Sequence, residues 1–180
     1  MSNLCHRAAA FALVLTASAA QADSVNVSIT GTVQIPTCTI NGGKTIEVNF
    51  GNLPVGNLSS GQYPQTRQVS VYCPYTNNVP FVRITGSALS GAPQNNVLAS
   101  SVSIFGIALY RCADQSRPVL LGNGMTINVI NMGYVLTQGF AENGNGNAVL
   151  TCTAVPWAAA STVLKAGSFS ATATMSVNYL

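Results

Sequence analysis

Apolar and polar residues alternate with a period of two near both ends of this chain. Val25, Val27, Ile29, Gly31 and Val33 are separated by Asn26, Ser28, Thr30 and Thr32. Gly167, Phe169, Ala171, Ala173, Met175, Val177 and Tyr179 alternate with polar or small residues in the same way. Successive side chains of an extended strand point to opposite faces, so each run predicts a strand with one face turned to apolar neighbours. The ribbon Val25–Val33 would span about 30 Å, the length of a sandwich sheet. Between the ends, short runs rich in Val, Ile, Thr, Phe and Tyr are set off by Gly, Asn, Pro and Ser clusters. They predict strands over Val25–Ile40, Thr45–Phe50, Gln68–Tyr72, Phe81–Thr85, Ser103–Arg111, Thr126–Ile130, Gly133–Phe140, Asn147–Thr153 and Ser168–Tyr179. Asn41-Gly42-Gly43, Gly122-Asn123-Gly124 and Asn143-Gly144-Asn145-Gly146 supply turn chemistry between them. The pattern predicts an all-β sandwich with no confident helix.

The first residues read as an address rather than as structure. Arg7 precedes an apolar stretch from Ala8 to Ala20, and Ala20-Gln21-Ala22 fits a small-residue cleavage site. Residues 1–22 are therefore expected to be a secretory signal, and that stretch is too short to cross a bilayer. Its removal takes Cys5, His6 and Arg7 with it and leaves no histidine. Of the 180 residues only 6% are charged, so the surface must be wetted by neutral polar groups. The basic residues are scattered singly and form no stripe for a phosphate backbone, which excludes nucleic acid as a partner.

Without histidine, a serine or cysteine nucleophile lacks its usual base. Asp23, Glu47, Asp114 and Glu142 are dispersed and belong to no recognisable motif. The glycine runs lack the helix and lysine of a phosphate cradle. The expectation is a protein with no catalytic residue, no metal and no cofactor. Trp157 beside Pro156 is read as packing rather than as a ligand platform. Export leaves Cys38, Cys73, Cys112 and Cys152, an even number that predicts two disulfides and permits three connectivities.

The terminal alternation, with a glycine among the inward positions of Val27-Ser28-Ile29-Thr30-Gly31-Thr32-Val33, resembles the N-terminal extension of chaperone–usher pilins. Tyr179, next to last, and Gly167, fourteen positions from the end, match that family's C-terminal β-zipper pattern. Further blocks follow the tip-adaptor minor pilins of P pili: Ile35-Pro36-Thr37-Cys38-Thr39-Ile40-Asn41, Val48-Asn49-Phe50-Gly51-Asn52, Cys73-Pro74-Tyr75, Gln94-Asn95-Asn96-Val97-Leu98-Ala99 and Phe105-Gly106-Ile107-Ala108-Leu109-Tyr110.

The resemblance implies an incomplete immunoglobulin-like sandwich lacking its last strand, with residues 23–34 as a donor-strand extension and 35–180 as the pilin domain. It implies that Val25, Val27, Ile29, Gly31 and Val33 form the donor strand. Gly167, Phe169, Ala171, Ala173, Met175, Val177 and Tyr179 would line the acceptor groove and bind the chaperone. The implied partners are a periplasmic pilus chaperone, an outer-membrane usher and neighbouring pilins including a tip adhesin, in a fimbrium at the cell surface. Cys38 is implied to pair with Cys73, while a Cys112–Cys152 pair rests on parity. The alternatives are a shaft-type pilin and a self-complemented receptor-binding β-sandwich; an adhesin proper would need a lectin domain for which no room is expected after Ala22.

Overall fold

The computed structural model describes residues 23–58, 61–75, 80–111, 113–122, 134–135, 146–159 and 163–179. The chain divides into two units, Met1–Val33 and Gln34–Leu180. In the first, the described residues from Asp23 onward are exposed and form no ladder strand. The expected signal, residues 1–22, lies outside the described residues.

The second unit is built from antiparallel strands: β1 (Thr39–Ile40), β2 (Gln65–Tyr72), β3 (Pro80–Thr85), β4 (Val97–Ala99), β5 (Phe105–Tyr110), β6 (Tyr134–Val135), β7 (Asn147–Ala158) and β8 (Thr174–Tyr179). One sheet has the order β1-β2-β7-β5-β4 and the other β6-β3-β8. Period two sets the burial. On β2, Val69 and Val71 are buried while Gln68, Ser70 and Tyr72 are exposed. Val71, Val82, Ile84, Leu98, Phe105, Ile107, Ala148 and Ala154 belong to one apolar core. A smaller cluster of Val97, Ala108 and Val155 is covered by Leu89, Ala92, Tyr110 and Trp157, so the tryptophan is packing.

Several elements differ from the sequence reading, each for a local reason. Strand β7 runs past Thr153 to Ala158, because its second half contributes Ala154 and Ala158 to one cluster and Val155 to the other. A stretch buried on both faces loses the alternation that marks a strand. Pro156 is tolerated there because the β2 ladder stops at Gln65, opposite Ala154, and no described strand pairs with β7 beyond it on that side. Strand β4 is too short to carry a periodic signal. Val25–Ile40 supplies only β1, Thr45–Phe50 forms no ladder strand, and β8 begins at Thr174 rather than Ser168. Alternation states which way side chains face, not whether a neighbour pairs with the backbone. Of Gly133–Phe140 only Tyr134–Val135 is described, and Thr126–Ile130 lies outside the described residues.

Cys38 and Cys73 form a disulfide that closes a separation of 35 residues and ties the approach to β1 to the end of β2. The expected Cys112–Cys152 disulfide involves a residue outside the described ones, and Cys152 carries a free thiol. Cys152 sits on β7 with Arg67 of β2 as its Cα partner, and parity counts thiols without fixing their register. Cys112 itself lies outside the described residues.

Gly106 is required by close approach. A Cβ there would stand 2.6 Å from the Leu98 carbonyl oxygen and 2.7 Å from Val97 Cγ1. Replacing Gly106 with Ala is therefore expected to destabilise the domain by about 1–3 kcal/mol, seen as a lowered midpoint in chemical denaturation; an unchanged midpoint contradicts the packing at β4–β5.

Candidate functional site: an open apolar groove

A groove of about 910 Å³ opens between the segments Ile46–Leu53 and Leu164–Ala171. Neither segment forms a ladder strand: the first leads from β1 towards β2 and the second leads into β8. Phe169 and Ala171 on one wall are half-buried in period two, whereas on the other Ile46 and Phe50 are half-buried and Val48 between them is exposed. Val102, Phe105 and Leu58 complete the lining. Phe105 meets Phe169 edge to face at 4.7 Å, and Phe50 lies 6.2 Å from Phe169. Ring contacts of this kind fix the depth of the apolar surface.

The first wall is held by side chains rather than by a ladder. Arg67 on β2 donates from Nε to the Glu47 carbonyl at 3.2 Å. Asn41 Nδ2 donates to the Lys44 carbonyl at 3.0 Å, tightening the turn that leads in. At the other end, the Gly51 N–H donates to Asn49 Oδ1 at 2.8 Å, with Gly51 at φ 59°, which favours glycine. Charge is confined to Glu47 and Lys165 among the lining residues, and the groove surface is mixed, with apolar side chains beside neutral polar groups.

The sequence-predicted acceptor residues divide into two groups. Gly167, Phe169 and Ala171 line the groove. Met175, Val177 and Tyr179 lie on β8, paired with β3, and pack on the main core. Tyr179 also meets Tyr75 edge to face at 5.7 Å. Ala173 is exposed. Among the described residues, strand β8 is at the margin of its sheet, hydrogen-bonded to β3 on one side. A Cβ added to Gly167 would meet nothing within 4 Å, so the fold does not require glycine there and the space beside it belongs to the groove. The sequence reading missed the opposite wall, Ile46–Leu53, and the floor at Leu58, Val102 and Phe105. Ile46, Val48 and Phe50 carried a period-two signal, but it was read as an ordinary paired strand.

In the first unit, Val25, Val27, Ile29 and Val33 are between 80% and 100% exposed. Gly31 has open space where a Cβ would stand, so nothing in the free ribbon demands a glycine.

A family model described as fimbrial protein matches residues 27–180. The chain belongs to the fimbrial protein family. It is 39% identical over 167 residues to the fimbrial adapter PapF of Escherichia coli, covering 93% of this chain and 94% of that protein. The minor fimbrial protein PrsF of the same organism matches to the same extent. Among solved structures, the P pilus adaptor subunit PapF superposes with a TM-score of 0.58 at 33% identity, over 82% of this chain and 98% of that one. The P pilus rod subunit PapA superposes with a TM-score of 0.61 at 19% identity, over 81% of this chain and all of PapA, a likeness of fold alone. This fimbrial protein has the immunoglobulin-like pilin fold and is a structural subunit exported to the cell surface.

Burial pushes the Cys152 thiol up to about 11. The folded state thus favours the protonated thiol; the stability this contributes is complete below the unfolded thiol's pKa and is lost as pH rises through about 11. In a Cys112→Ser background, alkylation of native Cys152 should stay slow at pH 8 and accelerate towards pH 11. Rapid labelling at pH 8, measured by mass spectrometry, would show that the thiol is not sheltered.

Proposed function

We propose that this chain is an adaptor-type minor subunit that links a tip adhesin to the next subunit of a fimbrial tip by donor-strand exchange. A periplasmic chaperone delivers it to an outer-membrane usher, first filling the groove and then yielding it to a neighbour's ribbon. The observation that carries this reading is an open groove, lined by Ile46, Phe50, Phe105 and Phe169, between two unladdered walls, in a chain that also presents an exposed alternating ribbon. The groove accepts a strand and the ribbon donates one. Strand addition joins subunits by main-chain hydrogen bonds, while alternate side chains fill the groove.

Val25, Val27, Ile29 and Val33 are the donor residues, and each aliphatic side chain buried in a neighbour's groove contributes about 1.5–3 kcal/mol. Gly31 lets the ribbon's backbone approach an acceptor sheet closely. The acceptor groove comprises Gly167, Phe169 and Ala171 facing Ile46, Phe50 and Leu53, with Val102 and Phe105 beneath; the margin of β8, with Met175, Val177 and Tyr179 behind it, extends the acceptor edge. Because ladder bonds are indifferent to side-chain identity, any ribbon with this alternation enters, a peptide of residues 23–35 included. The adaptor assignment draws on the likeness to PapF and PrsF. No catalytic step is part of this role.

Deletion of Asp23–Val33 should leave the chaperone complex intact and abolish attachment to the neighbouring acceptor, as read by fibre assembly in the presence of usher. Normal assembly by the truncated chain sinks the donor assignment. On the acceptor side, Gly167→Val should change thermal stability by no more than about 0.5 kcal/mol while slowing uptake of the 23–35 peptide at least severalfold. Equal uptake by the variant would remove Gly167 from the groove's working surface.

A further inference from the structure

The acceptor wall outruns its ladder partner. Strand β3 ends at Thr85, opposite Thr174, so Leu164–Ala171 extends beyond the last β3–β8 pair. Next to the β8 end of that wall, Ser170 is engaged by the turn between β4 and β5. The Ser101 N–H donates to the Ser170 carbonyl at 2.8 Å, and the Ser170 N–H donates to Ser101 Oγ at 3.1 Å. Both main-chain groups of Ser170 are thereby taken by one residue. Ser170 lies between Phe169 and Ala171, whose side chains line the groove.

The turn that carries Ser101 is itself fixed. The Ser100 hydroxyl donates to the Phe105 carbonyl at 2.8 Å and accepts the Val102 N–H at 3.1 Å. The Phe105 N–H donates to the Val102 carbonyl at 3.3 Å. Ile104 is held at φ 65°, a left-handed conformation that a β-branched residue keeps only where its surroundings impose it. Val102 and Phe105, on either side of this strained residue, form part of the groove's floor. One short turn therefore sets the floor and ties the wall.

We infer that Ser101 is a positioning residue of the groove, its reciprocal pair with Ser170 replacing the missing ladder and holding the acceptor wall at the spacing an incoming strand needs. An apolar cleft in water is driven to close, and Phe169 already touches Phe105. A wall without a ladder has little to resist that collapse. Two hydrogen bonds to its main chain resist it without using the groove-facing side chains, which stay available to the ribbon. This inference rests on the groove being a strand acceptor, so its test separates the two ideas.

The full chain, exported to the periplasm and purified, is compared with its Ser101→Ala and Ser101→Thr variants in two measurements: hydrogen exchange at the Ser170 amide by NMR, and the rate of uptake of a synthetic 23–35 peptide. Losing the Ser101 Oγ acceptor should raise Ser170 exchange roughly three- to tenfold, the range set by one hydrogen bond. Uptake should slow by a similar factor while the melting temperature holds, and Ser101→Thr, which keeps the hydroxyl, should restore both. Unchanged Ser170 exchange in Ser101→Ala overturns the positioning role. So does slowed uptake that tracks a fall in melting temperature and is not rescued by threonine. Failure of the unaltered chain to take up the peptide overturns the acceptor reading instead, and the positioning role with it.

Discussion

A strand in water must satisfy its backbone and bury one face, and in this chain two extended segments do neither by ladder pairing. Ile46–Leu53 and Leu164–Ala171 stand either side of an apolar groove, and β8 continues the second of them along the margin of its sheet. The rest of the sandwich depends on how this deficit is managed. Val71, Val82, Ile84 and Ile107 close the core between the sheets, while Phe50, Phe105 and Phe169 belong both to that core and to the groove. An added strand would therefore complete the interior itself, not coat a finished surface.

The deficit also explains why polar side chains matter in a chain so poor in charge. Where ladder bonds are absent, Arg67 fastens one wall through the Glu47 carbonyl and Ser101 fastens the other through Ser170. These bonds are individually modest, each about 0.5–1.5 kcal/mol. They hold backbone in place without adding bulk to the groove. Gly167 follows the same logic by leaving space, whereas Gly106 is glycine because Leu98 and Val97 crowd it. Two glycines on apolar strand-like runs thus serve opposite purposes, and only the spatial neighbours distinguish them.

Period two was legible wherever one face is buried and the other wet, as on β2 and in the run ending at Tyr179. It located the ribbon Val25–Val33 and the residues Gly167, Phe169 and Ala171 without reference to their neighbours. It did not show which strands lack a partner, because side-chain alternation is the same in a paired strand and in a groove wall; Ile46–Phe50 was misread for that reason. The second half of β7 was obscured by burial on both faces. Cysteine parity counts thiols and contains neither register nor distance, so it leaves the partner of Cys152 open. Assignment to the fimbrial proteins rests on the match across residues 27–180.

Incompleteness is tested most directly by thermal unfolding of the purified chain with and without a saturating alternating ribbon, the peptide of residues 23–35. The account predicts a large upward shift in Tm with that peptide and none with a control whose Val25, Val27, Ile29 and Val33 are replaced by Ser. Equal melting in all three samples would mean that the sandwich is already whole, and would contradict the account.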